Sequence, residues 1–446
     1  MSLAVKSLSI FLRDIFLFFS NAVVSIILAR SLGPHALGLW FSLNLIPSYA
    51  ELFGRIKIDA AAVYFLSKGK YSVQRLLPII NVIAIGSSAL IILIYLAGFT
   101  FFNAYLFKED ALVMQNYVYL ILLLIPLTFL YMNYLYIHIY REDKTVVNQM
   151  VLIRSFFSFV LIVSFFLYSN FSLSIIQVII ATITGVFAAL FYGLVKSPKH
   201  SFLVLNPSFK AVKELLAYGY KLYIAGVFSY LNVYCVQFIV LLNLAPSAMS
   251  FYTIAQQNSQ LFQKLADAVT VFLFPLIAKS KDTNDSIEIT LKVFRVLIIL
   301  LFPSLILAFI FLKYAVALTY GVKYLSVVIP ILIILPFIVL STATSPLSTL
   351  FQGLGKPHLA YRALIIPIVI QILLGWIIIP LWGIIGAAIC FSIGCLFSAI
   401  MHLVILKREF GVKSLLNKLL IRKSDIKFVY TFISTLIKKA LVFKSK

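Results

Sequence analysis

Charge is what this chain has least of. Only 11% of its 446 residues are charged, against 63% hydrophobic, and the mean hydropathy is +1.07. A soluble surface needs far more charge, so a soluble globular protein of this length is excluded. Cysteine is scarce too. Cys235, Cys390 and Cys395 all fall inside apolar runs, which argues for small packing residues rather than a disulfide framework or metal ligands. The five histidines (His35, His138, His200, His358 and His402) include no pair at ligand spacing, so no metal site is expected. Long polar loops are missing as well. The longest outside connection, near residues 99–112, is too short to fold as a domain. The first apolar run follows Arg13 and Asp14 without a small-residue cleavage site, so it reads as a retained helix and not a signal peptide.

What remains is long apolar runs. They approach the roughly 20 residues a bilayer demands and do not alternate with period two, which favours helices over a β-barrel. The expected fold is an all-α membrane protein of about twelve transmembrane helices. They fall near 14–32, 36–60, 76–102, 113–140, 149–168, 173–195, 215–242, 247–277, 288–312, 324–351, 359–380 and 383–406. The net charge of +23 invites a nucleic-acid reading, but no basic soluble domain exists to carry one. With the N-terminus inside, the cations gather on inside segments such as Lys68, Lys70, Arg75, Lys144 and Lys356, leaving Lys108, Lys313 and Lys323 outside. That asymmetry is the positive-inside pattern, and it places both termini in the cytoplasm.

Two of these runs are interrupted by polar residues at helical spacing. Gln256, Gln260, Gln263 and Asp267 share one helix face, with Lys264 beside them. An offset of 212 residues maps this stripe onto Asn44, Ser48, Glu51 and Arg55. Lipid solvates none of these groups, so they should face protein or water, and such positions mark a substrate path by default. The same offset lays Leu32–Trp40 over Leu244–Tyr252, with Pro34 on Pro246, and Lys144 on Lys356. Several matches at one offset argue for duplication into two parallel six-helix lobes with a site where they meet. The expected division is 1–195 for the first lobe, 196–214 for a cytoplasmic linker and 215–406 for the second lobe. Residues 407–446 form a basic tail, in which 426–437 reads as an interfacial helix on the inner leaflet.

The charges inside spans need individual accounts. Glu51, Arg55 and Asp59 follow at i, i+4 and i+8, which suits either a structural ion pair or a cavity lining that contacts substrate. Arg30, Arg154 and Arg295 lie near helix ends and are expected to snorkel to headgroups as peripheral cations. Lys221 leads into Asn232 and Gln237 further along its span, which suggests a cavity role. Counted together, the candidate cavity residues Asn44, Ser48, Glu51, Arg55, Lys221, Asn232, Gln237, Gln256, Gln260, Gln263, Lys264 and Asp267 carry more cations than anions, so an anionic ligand is favoured.

The segments ILARSLGPHALGLW (Ile27 to Trp40), ELLAYGYKLYIAG (Glu214 to Gly226), YGVKYLSVVIPILIILP (Tyr320 to Pro336), FQGLGKPHL (Phe351 to Leu359) and IIIPLWGIIGAAI (Ile377 to Ile389) resemble the O-antigen and capsule repeat-unit flippases. That family shares a superfamily with multidrug-and-toxin-extrusion exporters and the peptidoglycan lipid flippase. The sequence departs from the family at Lys221, where Pro is frequent, and at Cys235–Gln237, where many members carry an acidic-basic pair. The resemblance implies a multidrug-and-toxin-extrusion-like fold in the bacterial inner membrane. It also implies alternating-access transfer of an undecaprenyl-pyrophosphate-linked oligosaccharide, beside other polysaccharide-assembly membrane proteins. No enzymatic step and no cofactor are implied, though coupling to a proton or sodium gradient is, with Glu51, Asp59 and Asp267 as the acidic candidates. A cation or drug antiporter on the same fold would prefer an acidic cavity. A membrane polymerase or ligase would need a larger outside loop, and a scaffold protein would not need two polar stripes.

Overall fold

The computed structural model describes residues 3–197, 202–203, 208–279, 282–412, 414–427, 429 and 431. Among them every regular element is helical, as expected where lipid leaves backbone groups no partner outside their own segment. The chain order begins with α1 (Leu3–Gly54), α2 (Ile58–Ser67), α3 (Val73–Ala97), α4 (Phe99–Phe107), α5 (Ala111–Leu122), α6 (Leu124–Tyr140), α7 (Lys144–Tyr168) and α8 (Ile175–Lys196). It continues with α9 (Phe209–Asn243), α10 (Pro246–Lys279), α11 (Thr283–Thr319), α12 (Val328–Thr344), α13 (Pro346–Gly353), α14 (Pro357–Phe410) and α15 (Leu415–Leu419).

Nine helical segments among the described residues are long and apolar enough to cross a bilayer, which makes this a multi-pass membrane protein. Among those that far exceed the roughly 20 residues one pass requires are two, Phe16–Gly54 with 39 residues and α14 with 54, that contain a break. Each is broken by a glycine in the left-handed region, Gly33 at φ 71° and Gly383 at φ 56°. Gly33 precedes Pro34, so the break in α1 falls at the tight turn expected there from the sequence. Its counterpart 212 residues on is the α9–α10 junction, where Pro246 opens α10. A second pair at the same offset also lies at helix starts: Lys144 opens α7, and Lys356 is the N-cap of α14.

One connection differs from expectation. The stretch 99–112 is not an open loop: α4 and a short 3-10 turn occupy most of it. Aromatic packing explains this, since Phe102 stacks on Tyr95 and Phe99 on Tyr119, while Tyr95 donates to Asn103 Oδ1 at 2.9 Å. Much of the 196–214 linker and most of the interfacial helix read at 426–437 lie outside the described residues.

The chain forms two compact units. One comprises Met1–Val227 with Ala245–Ser250, and the other Phe228–Leu244 with Phe251–Lys446. The first portion of α9 therefore packs with the helices of the first half. In that unit α1 meets the start of α10 backbone to backbone: a Cβ on Gly38 would lie 1.7 Å from the Pro246 carbonyl oxygen. Close approach at a small residue is how helices associate in lipid. Gly38→Val is therefore expected to lower the melting temperature and yield of the detergent-solubilised protein, while a Gly86→Val control, at a site with open space, changes neither. In the second unit Leu273, Ile287, Phe351, Leu406 and Val412 bury together, joining α10, α11, α13 and α14 to the start of the tail.

Candidate functional site

In the first unit the charged face of α1 ends at a break. Helix α1 stops at Gly54 and α2 begins at Ile58, with Ile56 and Lys57 between them at φ 44° and 52°. A β-branched residue in the left-handed region is a true outlier, worth about 1–3 kcal/mol of strain, and persists only where neighbours hold it. The neighbours here are charged. One guanidinium nitrogen of Arg55 donates to Glu51 Oε1 and another to Asp59 Oδ2, so the fork bridges the two carboxylates across the break. Arg55 is 9% exposed and Asp59 2%, while Glu51 stays half-exposed. The second carboxylate oxygen, Asp59 Oδ1, is buried and accepts no hydrogen bond.

Helix α9 lies against this break. A Cβ on Gly219 would come within 2.5 Å of the Ile56 carbonyl oxygen, so only glycine permits the approach. Along the same helix, Tyr218 stacks on Tyr64 at 4.1 Å, and Glu214 accepts from Lys70 Nζ at 2.7 Å and from the Tyr71 hydroxyl at 2.9 Å. The hydrogen bond to Glu214 raises the Lys70 pKa, and bonds from Lys70 and Tyr71 lower that of Glu214. Partly open to solvent, this pair serves register more than stability.

Behind Asp59 stands Asn133 of α6, whose amide nitrogen donates to the Ile80 carbonyl at 3.0 Å and to Asn81 Oδ1 at 3.2 Å. Nothing in the sequence singles out Asn133, because a lone Asn in an aromatic-rich run has no helical partner at stripe spacing. Lys57 is equally silent there: its half-buried side chain runs past Gly226 only because the backbone turns left-handed at that point.

The predicted stripe residues divide by environment. Asn44 and Ser48 are half-buried and bond back to their own helix, to Trp40 O and Asn44 O respectively, both at 2.8 Å. In the second unit Gln237 and Gln256 are packed between helices, Gln237 donating to Thr253 Oγ1 at 3.1 Å and Gln256 to Val233 O at 2.6 Å. Asn232 is half-buried, and its Oδ1 accepts no hydrogen bond. Further along α10, Gln260 is half-buried while Gln263, Lys264 and Asp267 are exposed, with Lys264 Nζ 3.8 Å from Asp267 Oδ2. The Lys221 side chain lies outside the described residues.

The expected peripheral cations behave unequally. Arg30 is exposed, just before the break at Gly33. Arg154 is half-buried, its guanidinium 5.3 Å from the centroid of the buried Tyr131 ring, so it turns to protein and not to headgroups. Arg295 overturns the snorkelling expectation outright. It is 2% exposed, its Nε donates to Asp425 Oδ2 at 2.7 Å, and another nitrogen donates to Lys418 O at 2.6 Å. A buried guanidinium needs a counter-charge, and the tail supplies it. Asp425 is legible in one respect, as the sole acid after Glu409 in an otherwise basic tail.

A profile described as polysaccharide biosynthesis protein matches residues 27–329. A probable low-salt glycan biosynthesis flippase, Agl15 of Haloferax volcanii, is 22% identical over 227 residues; the match covers 50% of this chain and 48% of that protein, so about half the length of this curated relative is spanned. Among solved structures, the lipid II flippase MurJ in an inward closed conformation superposes with a TM-score of 0.76 at 17% identity, covering 98% of this chain and 100% of that one. An inward-facing multidrug resistance MATE family transporter of the MOP superfamily gives 0.74 at 14% identity, covering 89% and 94%. The fold is of that superfamily type.

Proposed function

Because the chain belongs to the polysaccharide biosynthesis protein family, we propose that it is a flippase carrying a lipid-linked oligosaccharide from one leaflet to the other. The observation that carries this reading is the Glu51–Arg55–Asp59 cluster within an apolar helical run. Ionised groups at such positions cost several kcal/mol, and where they occur in spans they pair with one another and mark substrate or ion pathways. The relative named as a glycan biosynthesis flippase supports the same class. In its finer form the proposal is an undecaprenyl-pyrophosphate-linked repeat unit for O-antigen or capsule, moved across the bacterial inner membrane by alternating access. Both termini would be cytoplasmic, and no bond would be made or broken. The path is assigned to Asn44, Ser48 and Glu51 in the first unit and to Gln260, Gln263, Lys264 and Asp267 in the second. Arg55 is already shared between two carboxylates, so Lys264 is the better candidate to meet a pyrophosphate.

Deleting the gene tests the reading: lipid-linked oligosaccharide should accumulate on the cytoplasmic side, and its accumulation on the outer side would point to polymerisation instead. A second measurement tests the path. The native cysteines are buried, so Gln263→Cys and Gln260→Cys should react with a small water-soluble thiol reagent while Gln256→Cys stays protected. Equal protection at all three positions would remove α10 from the pathway.

A further inference from the structure

We propose that the turn between α2 and α3, together with the start of α9, binds the headgroup of an anionic phospholipid. Four aromatic rings make the floor of this site. The Tyr218 ring centroid lies 4.1 Å from that of Tyr64 and 5.7 Å from that of Phe65, and Phe65 lies 6.2 Å from Tyr71. Cations stand beside these rings. Lys68 Nζ is 6.0 Å from the Tyr64 centroid, Lys70 Nζ 5.4 Å from that of Phe65, and the Arg75 guanidinium 5.8 Å from that of Tyr71. Such contacts hold long side chains in place before a ligand arrives, which lowers the cost of binding it. Lys68, Lys70 and Arg75 are exposed, and a Cβ on Gly69, between the two lysines, would meet nothing within 4 Å. The turn is uncovered.

Charge and position together select the occupant. Glu214 is the single acid within 60–80 and 208–220. It already accepts from Lys70 and Tyr71, and Lys210, one helical turn before it, lies within its electrostatic range. One carboxylate among Lys68, Lys70, Arg75 and Lys210 leaves three positive charges in excess. Helix α3 is long and apolar enough to cross a bilayer and begins at Val73, so residues 68–71 stand at a membrane boundary. Lipid phosphate is the anion present at that level, and aromatic rings settle at the same depth, between headgroup and acyl chain. The planar fork of Arg75 suits phosphate oxygens. An acidic protein segment would match the charge but not the boundary position, where lipid is already in contact. The site rests on the membrane placement of α3 alone, so its test does not depend on the flippase reading.

The test counts lipid adducts on the purified full-length chain by native mass spectrometry from a neutral detergent, titrating dioleoylphosphatidylglycerol and, separately, dioleoylphosphatidylcholine. The first phosphatidylglycerol should bind at least about thirtyfold more tightly than phosphatidylcholine. Lys68→Gln/Arg75→Gln should weaken that first adduct about thirtyfold, to the level of phosphatidylcholine. If the double variant melts early, Lys68→Gln alone decides the matter, with an expected loss of about fivefold. Lys407→Gln/Arg408→Gln removes the same charge from the exposed end of α14 and should leave the adduct unchanged. Equal affinity for the two lipids, or an equal loss in both double variants, would overturn the proposal. So would displacement of phosphatidylglycerol by inorganic phosphate or by polyglutamate at equal concentration, the first assigning the patch to a free anion and the second to an acidic protein.

Discussion

Replacing Asp425 with alanine is expected to destabilise the protein by about 3–5 kcal/mol, the cost of stranding a buried charge. The stranded charge is Arg295, 2% exposed on α11, whose Nε has Asp425 as its carboxylate partner at 2.7 Å. Glu288 does not replace it: it is half exposed, 3.5 Å from Arg295, and also bound by Arg422 at 2.9 Å. Truncation before residue 413 removes the same partner and should be as damaging, although the missing residues lie far along the sequence from the polar stripes. Unfolding in detergent measures the loss. The double variant Arg295→Met/Asp425→Leu should recover most of it, since a well-packed apolar pair replaces a buried ion pair at little cost. A single Asp425→Ala variant as stable as the parent would show that the tail is not anchored here. The contribution should also depend on pH. Burial raises the Asp425 pKa, but the Arg422 amide, the Arg295 hydrogen bond and both guanidinium charges outweigh it and hold the carboxyl below its usual range. A depressed carboxyl stabilises the fold above its unfolded pKa, about 3.9 for aspartate. That stabilisation is lost as pH falls through the lower folded value.

Arg55→Ala is expected to be comparably severe, about 3–5 kcal/mol, because it leaves Asp59 charged and buried with no partner. Surface polysaccharide should disappear. Loss of fold alone would explain that result, so the informative variant is the double substitution Arg55→Ala/Asp59→Leu. It removes both buried charges and should return stability to within about 1.5 kcal/mol of the parent. If the cluster serves transport, surface polysaccharide stays absent in this stable double variant. Full restoration of polymer would reduce Glu51, Arg55 and Asp59 to scaffolding of the helix break. Detergent melting curves and polymer immunodetection on the same cells separate the two outcomes.

The membrane, the helices and the family resemblance are all legible in the amino-acid order alone, as are the matches at a constant offset. They follow from local and periodic properties: run length, hydropathy and a constant offset such as Pro34 to Pro246 and Lys144 to Lys356. The same order puts Glu51, Arg55 and Asp59 on one helix face, because i+4 spacing is a local fact. Which polar groups remain open depends instead on how the helices assemble. Gln237 and Gln256 belong to the same kind of stripe as Gln263, yet they are pinned between α9 and α10 while Gln263 is exposed. Periodicity defines a face but not what covers it. Nor could it pair Arg295 with Asp425, 130 residues away, or bring Asn133 to Asp59. Such contacts are fixed by how helices pack, and in lipid packing turns on where a glycine such as Gly38 or Gly219 lets two backbones close.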